Sequence, residues 1–476
     1  MTSRNYLFWA GVESWGAQLS QLLAYVIIAR FLNPNEFGLY AFANIFFISI
    51  RSITAVALID SLVQKKITMT PLVHTFFWII FGLFILFIPM LSSLGFFLEQ
   101  PLKMPGLGPV LALLSCGFLT FGLSVVPEAL CVEQLHFRPL AIRRIAEQTI
   151  GGLAGVIGAY FGLGTYALVA QVLVGSFVGT ALLWLFTKYK PRFIFNLNEL
   201  IVLKQFFFQR LGSAFMAIIG QRLDSFVVGF IFGPLALGYY SIAWRLNSIT
   251  SIFTNAAINR MAFPLFSSYR DNPTAFRLTF ESCSHSASIL GALGYFSLFS
   301  LSKPLLLAFF GPNWEPAVPI LQGFSIFGLL VNGIFVTQNA LRALGLADVE
   351  FRFSIINNIA FLLLLPFFVL KGLSWVPCVL FISALLGTPY LFINLKRVSG
   401  ISVQQLFAHS FKPWIAGAVA ASTAWLWVNF FSWTLIQSPI IQFITGGAVF
   451  LFIYILILFL LDRRFIFSFF ADRIFY

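Results

Sequence analysis

Charge is what this 476-residue sequence has least of. Asp, Glu, Lys and Arg make up 9% of it, against about 25% in a soluble domain, which excludes an ordinary water-facing globular fold. Acids are scarcer than bases, 16 against 29. The four cysteines, Cys116, Cys131, Cys283 and Cys378, are scattered through apolar sequence without zinc-ligand or disulfide-framework spacing. They read as small packing residues, and no metal or cofactor is expected. Nucleophile elbows and phosphate-cradling loops are missing too, and the outer connections are short, which argues against a membrane enzyme such as a glycan polymerase or ligase. Glu13 interrupts the first apolar core and no small-residue cleavage site follows it, so no cleavable signal peptide is expected.

What is present is hydrophobic: 59% of the chain, with 60 phenylalanines. Runs of about 20 apolar residues imply membrane-spanning helices, since lipid offers backbone groups no partner outside the helix. Barrel-type alternation is absent. Fourteen runs are found, over 8–30, 37–60, 72–98, 107–130, 142–163, 165–187, 207–232, 236–261, 279–301, 316–341, 353–370, 374–395, 413–431 and 439–461. The expected fold is an all-α integral membrane protein of about 14 helices. The connections starting at Lys188 and Lys396 mix aromatic, aliphatic and basic residues and are expected to form amphipathic surface helices.

Lys and Arg fall unevenly on alternate loops. With the N-terminus inside, 22 lie on the cytoplasmic face, Arg143 among them, and four, Arg30, Lys103, Lys303 and Lys371, on the other. Both termini are then cytoplasmic. Membrane orientation, rather than a nucleic-acid partner, accounts for the net charge of +13.

A repeat recurs at an offset of 200. Pro34, Gly38, Tyr40 and Ala43 return as Pro234, Gly238, Tyr240 and Ala243. Spans 1 and 7 start on the same side, so the halves have parallel topology about a pseudo-twofold axis along the membrane normal. This predicts a six-helix lobe over 1–187, an amphipathic linker over 188–206, a second six-helix lobe over 207–395, and a remainder, 396–476, holding a linker, spans 13 and 14 and a cytoplasmic tail. Two facing bundles enclose a cavity that opens to either side by rocking. The repeat residues are expected to shape a turn in each half, the second centred between Pro234 and Leu235.

Ionised side chains inside such runs are costly unless paired or wet. Asp224 and Arg245 fall at similar depth either side of the second turn and are candidates for an ion pair tying two helices. Arg222 points away from Asp224, and Arg51 in span 2 has no acidic neighbour in sequence; both are expected to face a solvated cavity and attract anionic substrate. Gln18 and Gln21 offer span 1 a polar face beside Arg51. Glu281 and His285, one turn apart, and Glu13 are candidates for ion coupling or for structural pairing. Gly151/Gly155, Gly158/Gly162 and Gly175/Gly179 have the small-xxx-small spacing of close helix packing.

The runs RLDSFVVGFIFGPLALGYYSIAWRL and NRMAFPLFSSYRDNPTAFR, with ARFLNPNEFGLYAFA and SLVQKK in the first half, resemble the signatures of Wzx-type polysaccharide exporters, in the multidrug, oligosaccharidyl-lipid and polysaccharide flippase superfamily. The resemblance implies a flippase moving undecaprenyl-pyrophosphate-linked oligosaccharide across the bacterial inner membrane. The repeat unit would belong to O-antigen, capsule or exopolysaccharide. Arg222, Arg51 and Arg245 would then meet the pyrophosphate, and Gln221, Asn247, Asn255 and Tyr240 the sugar. Spans 13 and 14 resemble the pair that forms a lipid groove in lipid II flippases. The implied partners are the lipid-linked oligosaccharide, membrane lipids and other polysaccharide assembly proteins, around a monomer. A cation-coupled drug or metabolite antiporter of the same fold is the alternative; it favours an acidic interior, whereas here deep arginines outnumber the carboxylates recognised as deep. Transport by a Glu13→Gln variant under imposed proton and sodium gradients tests the coupling role of that residue: an unchanged gradient response eliminates it.

Overall fold

A computed structural model of the chain describes residues 3–64, 72–134, 136–194, 201–401, 403–431 and 438–462. Nearly all of them are helical, with no strand among the described residues, the outcome that internally satisfied backbone groups demand in lipid. In chain order the helices are α1 (Ser3–Phe31), α2 (Pro34–Gln64), α3 (Leu72–Glu99), α4 (Leu107–Ser115), α5 (Gly117–Glu133), α6 (Phe137–Tyr160) and α7 (Thr165–Thr187). They continue with α8 (Ile201–Ser268), α9 (Pro273–Ser300), α10 (Ser302–Phe309), α11 (Val318–Ala343), α12 (Ala347–Val369), α13 (Val376–Ser399), α14 (Val403–Leu426) and α15 (Pro439–Leu461). Each of the fourteen apolar runs has helix over it. By length and apolarity, nine helical stretches among the described residues qualify as membrane spans, or ten when α9 and α10, bent by 69°, are taken as one. The chain is a multi-pass membrane protein. The charged α6, with Arg138, Arg143, Arg144 and Glu147, is not among the nine.

Two compact units are present, Met1–Gly238 and Tyr239–Tyr476. In the first, α2 opens on a capping box: Pro34 takes the first helical position, and the Glu36 carboxylate accepts from the Asn33 backbone N–H at 2.9 Å. Phenylalanines fill the space between α2, α3 and α5. Phe84 lies 5.6 Å from Phe118 and 4.9 Å from Phe121, and Phe47 lies 4.9 Å from Phe118, the tilted and offset arrangements that ring quadrupoles favour. The expected close packing of α6 on α7 is present. A Cβ on Gly151 would meet the Gln171 carbonyl and one on Gly175 the Glu147 carbonyl, so the two backbones nearly touch. Gly162 does a different job, turning the chain after α6 with φ +74°.

The repeat residues build a reciprocal contact. A Cβ on Gly38 would run into the carbonyl oxygen of Pro234, and a Cβ on Gly238 into the carbonyl oxygen of Pro34. Each copy of the Pro-x-x-x-Gly spacing supplies the bare backbone that the other copy's carbonyl needs. Phe42, fully buried, extends the contact by stacking on Phe226 at 5.9 Å and covering Gly229. The turn itself sits one residue earlier than expected. Gly233 breaks α8 with φ 80° and ψ −176°, a conformation open to glycine, and Pro234 starts the next helical stretch.

The connection after α7 also differs from expectation. Residues 188–194 are irregular rather than helical and lie against the start of α3. Thr75 Oγ1 donates to the Ile194 carbonyl at 2.9 Å, Trp78 Nε1 to the Arg192 carbonyl at 3.0 Å, and the Trp78 ring stacks on Phe193 at 4.3 Å. The Tyr189 hydroxyl stands 3.0 Å from His74 Nδ1, and burial pushes its phenol pKa upward. Pro191 and the αL conformation of Lys188, φ 50°, stop α7 and forbid a helix there. The second connection is no separate surface helix either: past the αL Gly400, its residues from Val403 onward are the first turns of α14.

In the second unit, Asn272 caps α9 by accepting from Ala275 N–H at 3.1 Å, with Pro273 at the first helical position. α14 packs on α9 and α15 through a stripe of buried alanines, Ala416, Ala420, Ala421 and Ala424, against Phe450 and Tyr454. The Tyr454 hydroxyl donates to the Ile289 carbonyl at 2.8 Å, so the last two long helices are fastened to α9.

Replacing Gly38 or Gly238 by alanine forces backbone apart from backbone. Each variant should lower the unfolding midpoint in detergent by the equivalent of about 1–3 kcal/mol or more. Gly82→Ala in α3, where a Cβ meets nothing within 4 Å, should leave it unchanged.

Candidate functional site

Four charged side chains of the first unit gather in one place. Arg51 projects from α2 and Glu147 from α6, with Arg51 Nη2 3.6 Å from Glu147 Oε1. Arg143, one turn before Glu147 on the same helix, reaches Glu147 Oε2 at 3.7 Å and Glu128 of α5 at 2.8 Å. Four ionised groups on three helices thus alternate in sign. Their burial is tolerable because each carboxylate has a guanidinium beside it; orphaning one would cost about 3–5 kcal/mol. The Arg51 guanidinium also lies 5.2 Å above the Phe121 ring, within cation–π range. Gly179 of α7 leaves the space that Glu147 and Arg143 occupy.

Arg51 and Glu147 face a cavity of about 150 Å³ whose other walls include Gln21, Tyr25, Tyr40, Asn44, Gln148 and Gln171. Amides, hydroxyls and one ion pair around a small space can bind a polar, hydrogen-bonding group. Gln21 meets Arg51 here as the spacing on α1 suggests, while Gln18 is not part of the lining.

Several expectations need correction. Arg51 does have an acidic partner, Glu147, 96 positions away in the chain. Arg143 belongs to the buried network rather than to a cytoplasmic loop. Charges at this site balance two against two, so the interior is not simply cationic. Glu128 and Glu147 were the residues missed; the signal was available, since both fall inside predicted spans and Glu147 follows Arg143 at i+4.

The other candidates are spread over both units. In α8, Gln221 is exposed, Arg222 half-buried and Asp224 buried, with the Ser225 hydroxyl donating to Asp224 at 3.4 Å. Arg222, expected to lack a partner, is engaged rather than free. Arg245 is half-buried in the second unit and engaged as well. Tyr240 is 0% exposed and packs on Phe324 at 5.0 Å. Asn255 accepts from the Asn332 amide at 3.0 Å and donates to Ser251 at 3.1 Å, and Asn247 is buried beside Tyr295 and Gly328. Tyr240, Asn247 and Asn255 therefore serve helix packing here and offer no open surface. The side chain of Glu13 lies outside the described residues.

Glu281 pairs with Arg277 at 3.0 Å. His285 finds a different carboxylate, Asp462 at the end of α15, at 2.6 Å, and Lys412 Nζ donates to the other Asp462 oxygen at 3.4 Å. Nearby, Ser288 and Ser410 share a buried hydrogen bond at 2.7 Å. Asp462 follows the last apolar run, which is why its role was not legible from the sequence. Farther along α9 is a larger, mostly apolar groove of about 820 Å³ between α9, α11 and α14, lined by Phe296, Phe299, Ile326, Leu329, Trp425 and Leu426 among others.

Among protein families, one described as polysaccharide biosynthesis protein matches residues 27–319. The chain belongs to this family. The match agrees with the resemblance read from the two repeat signatures. The succinoglycan biosynthesis transport protein ExoT of Rhizobium meliloti (strain 1021) is 25% identical over 465 residues, covering 96% of this chain and 92% of that one. The lipopolysaccharide biosynthesis protein WzxC of Escherichia coli (strain K12) is 22% identical over 343 residues, 72% of this chain and 70% of its own. Among solved structures, the lipid II flippase MurJ in an inward closed conformation superposes with a TM-score of 0.77 at 15% identity, covering 97% of this chain and all of that one. An inward-facing multidrug resistance MATE family transporter gives 0.63 at 13% identity, covering 81% and 96%. These likenesses establish a shared fold.

The geometry assigns different weights to Asp462 and Glu281, the two acids near the first turns of α9. Asp462→Ala strips His285 and Lys412 of their common partner inside the protein and should destabilise it by about 1–3 kcal/mol. Glu281→Gln breaks a half-exposed pair and should change stability by less than about 1 kcal/mol. Thermal unfolding in detergent compares the two.

Proposed function

We propose that the protein is a flippase that carries undecaprenyl-pyrophosphate-linked oligosaccharide, a repeat unit of O-antigen, capsule or exopolysaccharide, from the cytoplasmic to the periplasmic leaflet of a bacterial inner membrane by alternating access. The observation that carries this reading is Arg51: a guanidinium inside an apolar helix, on the wall of a polar cavity, in a member of a polysaccharide biosynthesis family. A permanently charged, forked donor suits a diphosphate, and a membrane helix tolerates such a group where function uses it. Relatives named for succinoglycan transport and lipopolysaccharide biosynthesis and the likeness to a lipid II flippase support the same reading. All fourteen helical runs cross the membrane in this proposal, twelve of them as two six-helix lobes, 1–187 and 207–395, with both termini cytoplasmic. The chain works as a monomer and catalyses no covalent step.

Arg222 joins Arg51 as a diphosphate ligand in this scheme, Arg245 is a further candidate for that role, and Gln221 is the remaining exposed candidate for a sugar contact. The polyprenyl tail runs along the apolar groove beside α14, whose Phe, Trp, Ile and Leu lining matches an isoprenoid chain. At about 25 cal/mol per Å² of buried apolar surface, such a groove retains a long hydrocarbon without specific polar contacts.

Deleting the gene should trap the lipid-linked oligosaccharide on the cytoplasmic leaflet, and complementation with Arg51→Ala or Arg222→Ala should restore periplasmic delivery poorly while the variants still insert in the membrane. Normal delivery by the deletion strain sinks the proposed function. Full activity of both arginine variants sinks their role as diphosphate ligands.

A further inference from the structure

An anionic substrate that reaches Arg51 competes there with Glu147. The two guanidiniums on Glu147 are not equivalent. Arg143 is anchored a second time, at 2.8 Å to Glu128, and is buried. Arg51 is held by Glu147 at 3.6 Å and by the face of Phe121, and its side chain is 28% exposed, against 11% for Arg143. A charge-assisted N–H···O contact is normally about 2.7–2.9 Å, so the Arg51 contact is a loose one. The Arg143 contact to Glu147 is as long, 3.7 Å, but Arg143 is fixed by Glu128; if Arg51 swings away, Glu147, 12% exposed, still has that anchored guanidinium beside it.

We propose that Glu147 is a parking ligand for Arg51: it holds the guanidinium at the cavity wall and yields it to an organic diphosphate on binding. This rests on the reading of Arg51 as a diphosphate ligand. The exchange is favourable because a diphosphate brings more than one negative charge, whereas Glu147 brings a single charge already shared with Arg143. The same competition sets specificity. A singly charged anion does not displace a carboxylate already in place, so Glu147 makes Arg51 selective for ligands that bring more than one negative charge. Phe121 contributes to the parked position without adding charge. Glu147 is thus a positioning residue, acting on substrate through Arg51.

The test is binding of farnesyl diphosphate and of the singly charged phosphodiester farnesyl methyl phosphate to the full-length protein in detergent, with thermal unfolding recorded for every variant. An exposed or half-exposed pair contributes about 0.2–1 kcal/mol, which corresponds to about 1.5- to fivefold in affinity. Glu147→Gln should therefore tighten the diphosphate by up to about fivefold and narrow the preference over the phosphodiester. Phe121→Leu should shift affinity in the same direction. Arg51→Ala should weaken the diphosphate, and Arg51→Ala with Glu147→Gln should bind no better than Arg51→Ala alone. Weaker binding in Arg51→Ala with no tightening in Glu147→Gln overturns the parking role and leaves the reading of Arg51 standing. Unchanged binding in Arg51→Ala overturns both. Should Glu147→Gln fail to fold, Phe121→Leu decides: tighter binding supports the exchange, unchanged or weaker binding refutes it.

Discussion

The contact on which the first unit depends is made by backbone rather than by side chains. Gly38 and Gly238 each lack the atom that would strike the other repeat's proline carbonyl. Such an arrangement satisfies itself only when both copies are present, so the coincidence of Pro34 with Pro234 and Gly38 with Gly238 has a physical cause beyond common turn chemistry. It also sets the register of everything downstream on α2. Arg51 is thirteen residues beyond Gly38, about 20 Å along a helix rising 1.5 Å per residue. A helix pinned at one end by backbone contact and packed along its length by Phe42 and Phe47 delivers that guanidinium to Glu147 with little freedom to slide.

The buried charge networks described in the two units share one feature: their central members are partnered more than once. Glu147 has two guanidiniums, Arg143 two carboxylates and Asp462 both His285 and Lys412. Double partnering lets one member leave without stranding the rest. Polar interiors elsewhere follow the same logic with neutral groups, as in the Asn255, Asn332 and Ser251 chain, where each amide is satisfied by a neighbour on another turn or helix.

Hydrophobic run length was enough to locate every long helix, because the bilayer imposes a length that composition reports directly. Small-residue spacing likewise predicted the α6 and α7 contact at Gly151 and Gly175. Partners were harder. Arg51 and Glu147 are 96 positions apart, and His285 and Asp462 farther still; nothing local in either stretch names the other. Tyr240, Asn247 and Asn255 illustrate the opposite error, polar residues on a promising helix that turn inward because that helix's polar positions face other helices. The stretch after Lys188 was ambiguous in a more basic way. Tyr189, Arg192 and Phe193 suit a membrane surface, and they suit equally well the His74, Thr75 and Trp78 edge that they in fact cover.

That edge changes the mechanics of the connection into α8. The chain does not hang from the end of α7: with Tyr189, Arg192, Phe193 and Ile194 bonded or stacked on the first two turns of α3, its point of attachment is moved to the neighbouring helix. Tension along the connection would therefore load α3 first, through four hydrogen bonds and two ring stacks acting in parallel, and reach α7 only after that seam had peeled. Residues 188–194 behave as a riveted strap, not as a slack cord measured from Lys188.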